Sequence, residues 1–169
     1  MPVKVKKAII AAINTLFVLL VVLIQYTPLL SLKIGNAAPM LPLAFVIAVS
    51  MFCSELTSSI TGMLVGIFTD TSSSTSFGFN SLIFFVVAFL TSFLIHYLFN
   101  NNYRSAIALG IIFSSLYFVF RWLLFYCIGH TVNDSFTYLF RYALPSVIYT
   151  VVFTFAFYMF QKLLFKKIT

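Results

Sequence analysis

Four ionisable side chains lie within or beside long apolar stretches of this 169-residue chain: Glu55, Asp70, Arg121 and Arg141. On insertion scales, an ionised side chain at the middle of a membrane helix costs about 2.5–3.5 kcal/mol. A carboxylate that faces a guanidinium reduces the desolvation cost of both groups. We therefore expect Asp70 to form a structural intramembrane ion pair with Arg121 or Arg141. Two alternatives remain open: the charged groups extend to the lipid headgroups without pairing, or they line a proton or substrate path.

Other kinds of chemistry have little support in the sequence. The serines and threonines have no positioned histidine base, the few carboxylates are scattered, and no glycine loop could bind phosphate. His96 and His130 lack the spacing of metal ligands, and Cys53 and Cys127 lie in apolar runs, where we expect buried, inert thiols. We therefore predict no catalytic site, no cofactor and no metal, and the protein is not expected to be an enzyme.

The composition places these residues in a membrane protein. Apolar residues make up 62% of the chain and charged residues only 8%, with a mean hydropathy of +1.10. Soluble domains contain roughly half apolar and a quarter charged residues, so this chain could not cover its apolar surface in water. The net charge of +7 comes largely from lysines near the two chain ends. There they are typical of membrane anchors and topology signals, and not of contacts to nucleic acid.

The apolar runs predict an all-α fold, a polytopic integral membrane helix bundle of about six transmembrane helices in a single domain, 1–169. The expected spans are about 8–26, 39–53, 59–70, 80–99, 105–128 and 136–160. The third is too short to cross a bilayer as a straight helix, so it is either a short span or part of a re-entrant hairpin. Four crossings also fit if the second and third segments form a hairpin that does not cross.

The distribution of lysine and arginine predicts the orientation. Both chain ends carry basic clusters, so the positive-inside rule places both termini in the cytoplasm and favours an even number of crossings. A cleaved signal peptide is disfavoured, because the first apolar run, 8–24, is longer than the usual 7–15-residue signal core.

Two glycines four residues apart, Gly62 and Gly66, lie on one face of the third segment, and Asp70 continues that face. Gly78 opens the next apolar run. Such a face lets another helix approach closely, either within the chain, which we expect by default, or from a partner.

The chain resembles the rod shape-determining protein MreD family in an extended motif: Pro39, Gly62-xxx-Gly66-xxx-Asp70 and then Gly78-Phe79-Asn80-Ser81-Leu82. The basic N-terminus, the size, the six-span hydropathy and the basic tail are also similar, so the resemblance covers essentially the whole chain. It implies a multi-pass protein of the bacterial cytoplasmic membrane that acts in cell-wall elongation and in the regulation of cell shape, without being an enzyme.

The resemblance also implies partners. Such proteins are thought to bind the bitopic membrane protein MreC and to work with the transglycosylase RodA, a class B penicillin-binding protein and, indirectly, MreB filaments. We expect either the face formed by Gly62 and Gly66 or the neighbouring aromatic surface to dock the transmembrane helix of MreC. Contacts with membrane lipids are also expected.

An alternative function belongs to a different class. In size and span count, chains of this kind resemble the substrate-capture subunits of energy-coupling-factor vitamin transporters, which use a stripe of small residues on the first helix to reach their partner. Ala8 and Ala12 provide such a stripe here. Only a few polar residues could line an outer pocket: Asp70, Arg121, His130, Asn133, Asp134 and Arg141.

Overall fold

The computed structural model describes residues 3–27, 38–72, 78–124 and 143–168. Over these ranges the chain forms helices and no strands, which confirms the all-α prediction. The helices are α1 (Val3–Tyr26), α2 (Leu41–Ser50), α3 (Glu55–Ser72), α4 (Phe79–Tyr97), α5 (Tyr103–Trp122) and α6 (Leu144–Ile168).

Among the described residues, three stretches are long and apolar enough to cross a membrane: Phe79–Tyr97, Tyr103–Trp122 and Leu144–Lys166. Two shorter apolar stretches, Ala12–Tyr26 and Leu41–Ser50, accompany them in the described ranges. The helices therefore agree with a membrane bundle, while the number of six crossings stays a prediction.

The centre of the bundle is α2, which contacts each of the other five helices. All ten of its residues are buried, as expected for a helix that is apolar on every side. Ten residues extend about 15 Å, only half of a hydrocarbon core of about 30 Å. The expected span 39–53 is therefore a short interior helix. Pro42 lies in its first turn, where its missing N–H leaves no hydrogen bond unmade.

Polar side chains from the surrounding segments form hydrogen bonds with backbone groups at the ends of α2 that have no partner within the helix. The backbone N–H of Leu41 donates to Oε1 of Gln25 in α1, at 3.0 Å. At the other end, Nδ2 of Asn101 donates to the Met51 carbonyl, at 2.8 Å. A buried helix end without such partners is strongly destabilised in an apolar environment. These bonds let a helix of ten residues remain inside the bundle.

The third helix is longer than its expected range, 59–70. It begins at Glu55, so the mostly polar stretch 55–58, which lies between the expected spans 39–53 and 59–70, is helical. The hydroxyls there bond to their own helix: Ser59 Oγ donates to the Glu55 carbonyl at 2.7 Å, and Thr61 Oγ1 donates to the Thr57 carbonyl at 2.6 Å. Because the hydroxyls find acceptors one turn back, the polar stretch remains helical. The 18 residues of α3 extend about 27 Å.

The last helix also differs from the expected span, 136–160. It begins at Leu144 with Pro145 in its first turn and continues to Ile168, so the expected basic tail is helical over most of its length. Gln161, at the start of that tail, is fully buried and donates to Oδ1 of Asn14 in α1, at 2.8 Å. The segment 125–142, with the end of the fifth and the start of the sixth expected span, lies outside the described residues.

Candidate functional site at the α3–α4 joint

The two glycines of α3 lie directly against the backbone of α4. A Cβ added at Gly62 would stand 2.7 Å from the Ala88 Cβ, and one added at Gly66 would stand 2.6 Å from the Ser81 backbone nitrogen. Side-chain atoms do not approach other heavy atoms so closely, so only glycine allows this separation of the two helices. The glycine face of α3 is thus filled by α4 and leaves no room for a further helix.

Asp70 ends this face and binds the first turn of α4. Its carboxylate is only 2% exposed. One oxygen, Oδ1, accepts from the backbone N–H of Asn80 at 3.1 Å and from Nδ2 of Asn80 at 2.8 Å. The other, Oδ2, accepts from the N–H of Gly78 at 3.1 Å and from the N–H and Oγ of Ser81 at 3.0 and 2.9 Å.

These bonds explain how a carboxylate can be buried here. The first turn of a helix has N–H groups without an intrahelical acceptor and carries a partial positive charge. Asp70 satisfies three of them from the preceding helix, in place of a local capping side chain, since Gly78 at the N-cap position has none. Charge-assisted bonds of this kind offset the desolvation of the carboxylate.

Gly78 is required for a different reason from that for Gly62 and Gly66. Its φ angle is +95°, in the left-handed region that favours glycine, whereas an added Cβ would find no neighbour within 4 Å. This backbone conformation directs the Gly78 N–H at Asp70 and starts α4. Glycine is required at positions 62 and 66 because a Cβ would clash with α4, and at position 78 because of the positive φ angle.

A chain of hydrogen bonds continues from Asp70 to α5. The hydroxyl of Tyr117, a residue that is 1% exposed, donates to Oδ1 of Asn80 at 2.8 Å. Nη1 of Arg121 in turn donates a hydrogen bond to the Tyr117 hydroxyl, at 3.5 Å. Asp70, Asn80, Tyr117 and Arg121 are thereby linked in order across three helices.

This series of hydrogen bonds bears on the ion pair that we expect between Asp70 and Arg121 or Arg141. In the described part of the protein, the path from Asp70 to Arg121 runs through Asn80 and Tyr117, and a direct pair stays a prediction. Arg141 lies outside the described residues. Sequence reasoning assigned no role to either intermediate: Asn80 belongs to the motif that carries the resemblance but was given no partner, and nothing in the sequence distinguishes Tyr117 from the other tyrosines.

Glu55 lies at the opposite end of the α3–α4 pair. Its Oε1 stands 3.7 Å from Nδ1 of His96, in the last turn of α4, and both side chains are partly exposed. A carboxylate in the first turn of a helix complements the helix dipole, and an imidazole in the last turn of another does so when it is protonated. With His96 protonated, the pair favours the antiparallel alignment of α3 and α4.

The model of one protein family, described as rod shape-determining protein MreD, matches residues 6–168, nearly the whole chain. The chain belongs to the MreD family. No curated protein and no solved structure matches it significantly. Membership gives this MreD-family protein a role in determining rod shape and identifies it as a membrane protein of a family that is not known for enzymatic activity.

In this MreD-family protein, the three glycines and the aspartate of the motif act on one structural unit. Gly62 and Gly66 set the distance between α3 and α4, Gly78 starts α4, and Asp70 binds that start. Among the described residues, no group of three or more histidines, cysteines, aspartates or glutamates is arranged to hold a metal ion. The motif thus fixes α3 against α4, and we call the contact formed by Gly62, Gly66, Asp70 and Gly78 the α3–α4 joint.

Proposed function

We propose that this MreD-family protein is a non-enzymatic scaffold of the cell-wall elongation complex in the bacterial cytoplasmic membrane, with both termini in the cytoplasm. It binds the transmembrane helix of MreC and couples MreC to peptidoglycan synthesis by RodA and a class B penicillin-binding protein, and indirectly to MreB. The family match over residues 6–168 carries this proposal. The joint supports it, since the buried carboxylate of Asp70 serves the packing of helices.

The docking surface follows from which faces are already occupied. Because α4 fills the glycine face of α3, we assign MreC to the aromatic surface next to it. We define the aromatic ladder as Phe85, Phe89, Phe93 and Tyr97, which share one face of α4 at four-residue spacing.

The ladder has the properties of a recognition surface. Its rings are partly exposed, and the last three touch in succession: the centroids of Phe89 and Phe93 are 6.1 Å apart, and those of Phe93 and Tyr97 are 4.8 Å apart. Aromatic rings in contact offer a large contact area and lose little conformational entropy on binding. A helix that packs along the ladder would meet a pre-ordered surface.

Substitution of Phe89 by alanine tests this assignment. Phe89 is 42% exposed, and Phe68 in α3, at 41%, is a matched control outside the ladder. We expect Phe89→Ala to lower the amount of MreC that co-purifies from a detergent extract about tenfold, equivalent to about 1.4 kcal/mol, and Phe68→Ala to leave it unchanged. Unchanged co-purification with Phe89→Ala would exclude the ladder. Absence of MreC from the wild-type extract would contradict the proposed function itself.

A further inference from the structure

A cleft with a volume of about 470 Å³ lies between α1 and α3, away from the Asp70 joint. The C-terminal end of α2 and the later part of α6 complete its walls. The residues that the argument uses line it from α1, from α3 and from the turn between α2 and α3: Asn14, Phe52, Ser54, Thr57, Thr61 and Leu64. Sites for small ligands have this size and are mostly apolar, with a few polar groups that fix the orientation of the ligand.

The polar group that distinguishes this cleft is the amide of Asn14. The side chain is 7% exposed, and its Oδ1 accepts from Nε2 of Gln161 at 2.8 Å. Within the described ranges, Nδ2 of Asn14 donates to no acceptor, and the buried Oε1 of Gln161 has no donor. Asn14 therefore offers an unused N–H donor at the wall of the cleft.

Hydroxyls provide the opposite wall. Oγ1 of Thr57 is 3.0 Å from Oγ of Ser54, and Thr61, one turn further along α3, donates to the Thr57 carbonyl. The lone pairs of the Thr61 hydroxyl stay available as acceptors. No lysine, arginine, aspartate or glutamate lines the cleft in the described part of the chain. The part of a ligand that enters is therefore uncharged, because an unpaired charge would be costly there.

The surroundings show from where a ligand arrives. Leu64 forms part of the wall and is 52% exposed, and beside it on α3 lie Ile60 and Met63, which are also half-exposed. In a membrane bundle such large exposed apolar side chains face lipid. The cleft thus opens laterally towards the hydrocarbon region of the bilayer.

We propose that this cleft binds one diacyl glycerolipid from the membrane. An ester carbonyl of the lipid accepts a hydrogen bond from Nδ2 of Asn14, and an acyl chain packs against Phe52 and Leu64. The site is separate from the aromatic ladder and does not depend on the assignment of MreC to that surface.

Native mass spectrometry of the purified, delipidated protein tests this site. The probes are dioleoyl phosphatidylglycerol and its ether-linked analogue, which differs by lacking the carbonyl acceptors. We expect one bound ester lipid per wild-type chain and an affinity for the ether analogue about two- to tenfold lower, as for one neutral hydrogen bond. Asn14→Leu should abolish this preference for the ester. Equal affinities of the wild type for the two lipids, or no bound lipid, would overturn the proposal.

A filling substitution provides a test that leaves Asn14 intact. Leu64→Trp places a larger side chain at the mouth of the cleft, whereas Met63→Trp adds the same bulk to the neighbouring residue, which does not line it. The two positions are similarly exposed, at 52% and 48%. We expect Leu64→Trp to lower lipid binding more than tenfold and Met63→Trp to leave it within twofold. If Leu64→Trp instead reduces co-purification of MreC and leaves lipid binding unchanged, the cleft is a helix-docking site and the lipid proposal is wrong.

Discussion

Replacement of Asp70 by asparagine removes the charge at the start of α4 and keeps the shape of the side chain. In the wild-type protein, each carboxylate oxygen of Asp70 accepts at least two hydrogen bonds from the start of α4. In asparagine one of these oxygens becomes an NH₂ group, which can only donate. If the amide nitrogen takes the place of Oδ2, the N–H groups of Gly78 and Ser81 both lose their acceptor. If it takes the place of Oδ1, the backbone N–H and the Nδ2 group of Asn80 both lose their acceptor.

The magnitude follows from these losses. A buried donor without an acceptor costs about 1–3 kcal/mol, so loss of the acceptor of both Asn80 donors costs about 2–6 kcal/mol. The half-buried N–H groups of Gly78 and Ser81 lie at the low end of that range. The lost attraction between a carboxylate and the helix N-terminus adds about 1 kcal/mol. Against this, a neutral amide is easier to desolvate than a carboxylate, which returns part of the loss. We expect the free energy of unfolding to fall by about 3 kcal/mol.

The single tryptophan provides the assay. Trp122 ends α5 beside Arg121, the last member of the hydrogen-bond chain, so its fluorescence reports on the joint during denaturation in mixed micelles. Thr71→Ala changes an exposed neighbour of Asp70 and should shift stability by less than about 0.5 kcal/mol. An Asp70→Asn variant as stable as this control would refute the view that the carboxylate holds α4.

Three further substitutions separate the causes of stability at the joint. Gly66→Ala should prevent folding or lower the free energy of unfolding by more than about 3 kcal/mol in the same assay, because the added methyl group meets the backbone of α4. Gly110→Ala is the control: its Cβ would meet only side-chain atoms, at 3.3 Å or more, so it should cost under about 1 kcal/mol. Gly78→Ala should cost about 1–2 kcal/mol, from the positive φ angle alone; a loss as large as that of Gly66→Ala would indicate a steric clash instead. Tyr117→Phe leaves Oδ1 of Asn80 without this donor and should destabilise by about 1–3 kcal/mol, and a neutral effect in thermal unfolding would show that the hydroxyl is dispensable.

Several helix boundaries escaped prediction because hydropathy measures only the average affinity for lipid. The start of α3 is rich in hydroxyls that bond to their own helix, so a stretch that reads as a loop continues the helix. Likewise, Gln161 lies just beyond the expected span 136–160, but a partner on α1 makes its burial possible. In both places the polar groups are satisfied by contacts that a hydropathy average does not contain.

The sequence by itself determined that the protein is helical and suited to a membrane, and that α3 carries a smooth face ending in Asp70. Composition and helical spacing are local properties, so they can be read without knowing the neighbours of a residue. Only the tertiary structure decided that α4 fills the smooth face, that backbone amides of α4 hold the carboxylate, and that α2 lies at the centre of the bundle. These outcomes depend on which segments meet across the fold, because a buried polar group or a bare glycine face is stable only when a distant part of the chain completes it.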